Sequence, residues 1–115
     1  MYHPDGWKII QLVWPDGKMT YRLAAGYSGT YIYGDSWRIN SGITEIEAGD
    51  DYWDIHGETG SVYQITPHGE DRGMALHMAY AYLEQQVANG YLKSWSKVDS
   101  SNYLPVLSVI TDEED

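Results

Sequence analysis

The chain has 115 residues, 43% of them hydrophobic, which suits one domain with its own core and excludes wholesale disorder. It has no cysteine, so a disulfide framework, a thiolate zinc site and a cysteine nucleophile are all excluded. Seventeen carboxylates against seven Lys and Arg give a formal net charge of −10, a surface that repels nucleic acid and anionic membranes and attracts basic surfaces.

The first residues, Met1-Tyr2-His3-Pro4-Asp5-Gly6, lack the basic and apolar regions of a signal peptide. No apolar run approaches the roughly 20 residues needed to cross a bilayer, so a cytoplasmic location is expected. Residues 7–14 are rich in Ile, Val and Leu, Pro15-Asp16-Gly17-Lys18 supplies a turn, and residues 19–25 return as a partner strand. Residues 26–29 break the chain before a third strand over 30–33, and Gly34-Asp35 turns into Trp37-Arg38-Ile39. Ser41-Gly42 precedes a strand over 43–47, Gly49-Asp50-Asp51 turns into 52–56, and residues 57–60 turn into 61–66. Short strands separated by Gly/Asp turns predict a curled antiparallel β-sheet of five to seven short strands.

After Pro67 the apolar period changes. Leu76, Ala79, Tyr80, Leu83 and Val87 share one helical face, with Met74, Met78 and Ala81 beside it. Glu70 and Asp71 suit the positive end of a helix dipole and Asn89-Gly90 suits a C-cap, which places a helix over 71–89. Glu84 is the one charged residue between 73 and 89, so either the sheet wraps this helix or a strip of it meets a partner, and a homodimer is open. Residues 91–98 alternate like a strand, and Pro105 confines the apolar stretch 103–110 to an edge or an irregular segment. The expected fold is α+β, a single domain over 1–110 with the sheet packed on one helix and an acidic mobile tail over 111–115.

The strongest functional signal lies between Ile39 and Arg72. Glu45, Glu47, Asp50, Asp51, Asp54, Glu58, Glu70 and Asp71 fall there with no Lys or Arg among them. Strand alternation points Ile46, Trp53 and Ile55 toward a core, and sends Glu45, Glu47, Tyr52, Asp54 and His56 to the other face. Same-face residues repeat at about 6–7 Å, a spacing close to that of a phosphate backbone. The expected partner-binding set is Glu45, Glu47, Asp50, Asp51, Asp54 and Glu58, with Tyr52 and Trp53 as aromatic anchors; Trp53 is the weaker candidate because alternation turns it inward. The competing reading is a solvated edge whose acids prevent edge-to-edge aggregation.

Other chemistries have less support. His56-Gly57-Glu58 and His68-Gly69-Glu70 echo each other and hold metal-ligand residue types, yet a turn and a helix entry account for both, so no metal site or cofactor is expected. Asp50, Asp51 and Asp54 lack the spacing of an EF-hand loop, and neither Ser28 nor Ser61 sits in a strand-to-helix nucleophile elbow. No catalytic residues are assigned. Tyr27, Tyr31, Tyr33, Trp37, Tyr52, Trp53 and Tyr63 can instead form an aromatic platform for sugar rings, which keeps a carbohydrate-binding module or a small hydrolase as an alternative.

The stretch Trp37-Arg38-Ile39-Asn40-Ser41-Gly42-Ile43, followed by Gly57-Glu58-Thr59-Gly60-Ser61-Val62-Tyr63, resembles segments in small proteins of phages and mobile elements. Small size, absent cysteine, high acidity and a sheet-plus-helix layout are similar to anti-CRISPR proteins, many of which block nucleic-acid sites on CRISPR effector complexes. That group has no common motif, so the resemblance transfers no site residues. It implies a phage-encoded inhibitor acting in the cytoplasm of a bacterial host cell, with a CRISPR effector subunit or another nucleic-acid-binding defence protein as partner. Direct binding to nucleic acid or membrane is not expected. An immunity protein that neutralises a basic toxin is a second reading of the same acidic surface.

Overall fold

The computed structural model describes residues 1–28 and 36–99. The strand expected over 30–33, the apolar stretch 103–110 and the acidic tail 111–115 lie outside the described residues.

The described chain runs β1 (Gly6–Val13), β2 (Met19–Tyr27), β3 (Ser36–Ile39), β4 (Ile43–Ala48), β5 (Trp53–Gly57), β6 (Val62–Ile65), α1 (Met74–Ala88) and β7 (Ser94–Lys97). A single 3-10 turn, Pro67–Gly69, precedes the helix. The fold is α+β, with these seven strands pairing antiparallel. They divide into two sheets rather than one: a four-stranded sheet in the order β3-β2-β1-β7 and a three-stranded meander β4-β5-β6. Among the described residues no helix is long and apolar enough to cross a membrane.

The division follows from Asn40. Its backbone N–H donates to the Leu23 carbonyl at 3.0 Å, and its buried side-chain Oδ1 accepts the Leu23 N–H at 2.8 Å. The side chain thus occupies the next place in the β2 ladder, ends β3, and releases the chain toward the second sheet. Gly42, at φ 142, completes that departure in a conformation that disfavours any residue with a Cβ.

The centre of the large sheet is buried on both faces, which is why β1 reads as an almost unbroken apolar run. Trp7, Ile9, Leu23 and Ala25 face the small sheet and pack on Ile43, Ile55, Tyr63 and Ile65. Ile10, Leu12 and Ala24, one residue out of step, face the helix and pack on Leu76, Tyr80, Leu83 and Leu92. The order of layers is therefore helix, four-stranded sheet, three-stranded sheet. Trp7 is fully buried between the sheets and still satisfies its indole N–H, which donates to the Thr66 carbonyl at 2.6 Å.

Two glycines admit the chain that leads into the helix. Gly6 and Gly26 are cross-strand partners, and a Cβ on Gly6 would overlap the Arg72 carbonyl. One on Gly26 would come within 2.8 Å of the Leu76 nitrogen. The helix buries Ala75, Leu76, Ala79, Tyr80 and Leu83, close to the face read from the sequence, while Met74 and Met78 are exposed. It begins at Met74, later than expected, because Asp71 (φ 56) and Gly73 (φ 99) hold left-handed backbone that interrupts any earlier turn. Glu70 and Asp71 consequently lie outside the helix, and no acidic residue stands in its first turn.

Candidate partner-binding face

The small sheet covers the core with one side and turns the other away from it. On β4 and β5 the cross-strand pairs are Glu45 with His56, Ile46 with Ile55, Glu47 with Asp54 and Ala48 with Trp53. Ile46 and Ile55 belong to the intersheet core, so Glu45, Glu47, Asp54 and His56 share the outer side, as alternation predicts. Strict alternation fails at one place. Ile43 is buried in the same core as Ile46, three residues on, and the two agree only because the register shifts between Ile43 and Glu45. That bulge re-aims the strand and was not legible in the sequence.

Glu45, Glu47, Asp50, Asp51 and Glu58 are exposed and Asp54 is partly so. Among the described residues, the ion pairs are Lys8 with Glu70, His56 with Glu47 and Lys97 with Asp71, so none of these six carboxylates is matched by a Lys or Arg. Asp54 accepts a hydrogen bond from the Gln64 amide at 3.1 Å, which fixes its direction without neutralising it. Asp50 and Asp51 occupy the hairpin tip and Glu58 the turn at the other end, where its side chain lies over Gly42. The acids therefore extend along the whole hairpin, about 20 Å for six residues of strand.

Glu70 and Asp71, in the same acidic stretch of sequence, are neutralised within the fold. Glu70 accepts from the largely buried Lys8 ammonium at 2.7 Å. Asp71 accepts from the Tyr80 hydroxyl at 2.6 Å and from Lys97 at 3.0 Å. Burial would raise the Asp71 pKa, but those two hydrogen bonds, with the charges of Lys97 and Lys8, outweigh it and hold the carboxyl below the usual range. Burial first, then the bond to Asp71, pushes the Tyr80 hydroxyl well up. Lys8, Glu70, Asp71 and Lys97 line a cleft of about 640 Å³ with Arg72 and Asp99, where opposite charges meet. That cleft is electrostatically balanced. The hairpin face is not.

The two expected aromatic anchors differ. Tyr52 closes the hairpin tip with its ring folded over Gly49, beside Asp50 and Asp51, and accepts the Gly49 N–H through its carbonyl at 2.8 Å. Trp53 belongs to the other side: it packs on the intersheet core, edge-on to Trp7 with ring centroids 6.1 Å apart. Its pairing with Ala48 and Ile65 sets it on the same side as Ile55, opposite to Glu47 and Asp54.

The expected sugar platform is divided as well. Tyr63 is buried, Tyr27 and Trp53 pack beside it between the sheets, and Trp37 lies on the opposite face of the large sheet against Tyr82, at 4.8 Å between centroids. Tyr31 and Tyr33 lie outside the described residues. The described members thus do not form one stacking surface.

The fold gathers one donor set that spacing did not single out. Glu45, Glu47 and His56 bring ligand atoms within 4.8 Å of one another, an imidazole-plus-carboxylate group able to hold a divalent cation. The paired His-Gly-Glu motifs do not act together in this way, since His56 turns to Glu47 at 2.6 Å and Glu70 to Lys8. Comparison with known protein families, with curated proteins and with solved structures found no match for the chain.

Proposed function

We propose that this chain is a binding protein, not an enzyme, which occludes a basic, nucleic-acid-binding surface of a bacterial defence protein in the manner of the anti-CRISPR inhibitors. The outer side of the β4–β5 hairpin is the docking face. Glu45, Glu47, Asp50, Asp51, Asp54 and Glu58 supply the charge, and Tyr52 supplies an aromatic contact at the tip.

One observation carries this reading: six carboxylates on or beside one hairpin have no Lys or Arg partner among the described residues, while the nearby acids Glu70 and Asp71 do. Like charges facing across a ladder are destabilising. A fold that neutralises some acids internally and leaves the hairpin set without Lys or Arg partners retains a potential that a cationic groove can use. Such a potential acts mainly through the rate of encounter and the choice of partner.

The test is capture from lysates of bacteria carrying CRISPR effectors, with bound proteins identified by mass spectrometry. Wild-type protein is expected to retain a nucleic-acid-binding effector subunit, and a folded Glu45→Lys/Asp54→Lys variant to lose it. Equal retention by the two proteins contradicts the assignment of the face.

A further inference from the structure

A second site lies on the other side of the molecule, where the helix leaves one corner of the large sheet uncovered. The cleft there has a volume of about 350 Å³, within the roughly 300–1,000 Å³ of small-molecule pockets. Its sheet wall carries Trp14, Arg22 and Trp37, and its helix wall carries Tyr82 and Gln86. Tyr91 stands at the rim and is well exposed. In a chain of formal net charge −10, no acid lines this cleft and its single charged side chain is a cation.

Arg22 is the anomaly. Its Nη1 donates to the Asn40 carbonyl at 3.3 Å and its guanidinium lies over the Trp14 ring at 5.4 Å. The Nε is buried without a hydrogen-bond partner, and among the described residues no carboxylate pairs with this side chain. Arg22 lines the cleft, and a guanidinium with no carboxylate of its own there is a ready partner for an anionic group through its N–H donors. A buried donor without an acceptor is uncommon in folded proteins, and it marks Arg22 as a side chain whose charge the fold itself leaves unsatisfied.

We propose that this cleft binds a small aromatic carboxylate, with the acid group on the guanidinium of Arg22 and the ring against the Trp14 and Trp37 indoles. Aromatic walls supply apolar area and stacking, and the guanidinium selects the anion. The site is separate from the hairpin face, so either proposal can fail without the other.

Phenylacetate is the probe and phenylacetamide its neutral counterpart, each titrated into the full chain while tryptophan fluorescence and amide NMR shifts are followed. Saturable binding of phenylacetate is expected, with shifts centred on Trp14, Arg22 and Trp37, and at least tenfold weaker binding of the amide. Arg22→Gln should weaken phenylacetate to the level of the amide, and Arg22→Lys should fall between. Absence of saturation with phenylacetate, or equal affinity for acid and amide, overturns the proposal. The acid–amide comparison is made on wild-type protein and decides the matter even if the Arg22 variants fold poorly.

Discussion

Glu47 stands directly opposite Asp54 across the β4–β5 ladder, and neither carboxylate has a Lys or Arg partner among the described residues. Two negative side chains at adjacent cross-strand positions repel one another at a distance where sheets usually place opposite charges. Removing one of them should therefore stabilise the fold. Asp54→Asn, which keeps an oxygen for the Gln64 amide, is expected to raise stability by about 0.2–1 kcal/mol. The urea midpoint measures this, and a loss of stability would show that the pair is not a cost to the fold.

The layered core makes a different prediction. Ile55 and Leu76 are fully buried in separate clusters, one between the sheets and one beneath the helix. Truncation of either to Ala should cost about 2–5 kcal/mol. Because the two share no cluster, the double variant should lose nearly the sum. Equilibrium unfolding of the two single variants and the double variant tests both points.

Gly6 should tolerate no side chain. A Cβ there overlaps the Arg72 carbonyl, a backbone atom that can move only if the helix entry moves with it. Gly6→Ala is expected to destabilise by about 1–3 kcal/mol, as overpacked sites do. Gly17→Ala, in an open turn at φ 90 with nothing near the added carbon, should cost less. Thermal melts of the two variants make the comparison.

Stability should decline at both ends of the pH scale. The Asp71 carboxyl has a folded-state pKa below its ordinary value, so its contribution is complete above that value and is lost as pH falls through the lowered one. Tyr27 behaves oppositely: burial first, then the neighbouring Tyr63, pushes its hydroxyl from 10.0 to about 12. The folded state then holds a proton that the unfolded chain gives up, so stability is full below pH 10 and falls as pH rises toward 12. Tyr80, also raised, adds to the alkaline loss, and Tyr80→Phe should remove its share. Urea midpoints across the pH range check the signs.

Much of this architecture was legible from local signals. The β1–β2 and β4–β5 hairpins follow from their turns, and the buried helix face from Leu76, Ala79, Tyr80 and Leu83. What escaped depends on contacts between distant residues. The division into two sheets rests on Asn40 capping the ladder at Leu23, seventeen residues earlier, which no strand periodicity encodes. Glu70 and Asp71 were expected at the helix N-terminus, but they are claimed by Lys8, sixty-two residues away, and Lys97, twenty-six away. The outward alignment of Glu45, Glu47 and Asp54 was legible because alternation is a short-range property. The bulge after Ile43, and the approach of His56 to Glu47, were not.

In the proposed function the hairpin face takes the place of nucleic acid on a cationic groove. This is tested most directly by measuring displacement of labelled target nucleic acid from a panel of purified CRISPR effector complexes, at low and at moderate salt. Wild-type protein is expected to displace nucleic acid from at least one complex, less well as salt rises, and folded Glu45→Lys/Asp54→Lys protein is expected not to. Undiminished displacement by the charge-reversed protein, or no displacement from any complex by the wild type, would contradict it.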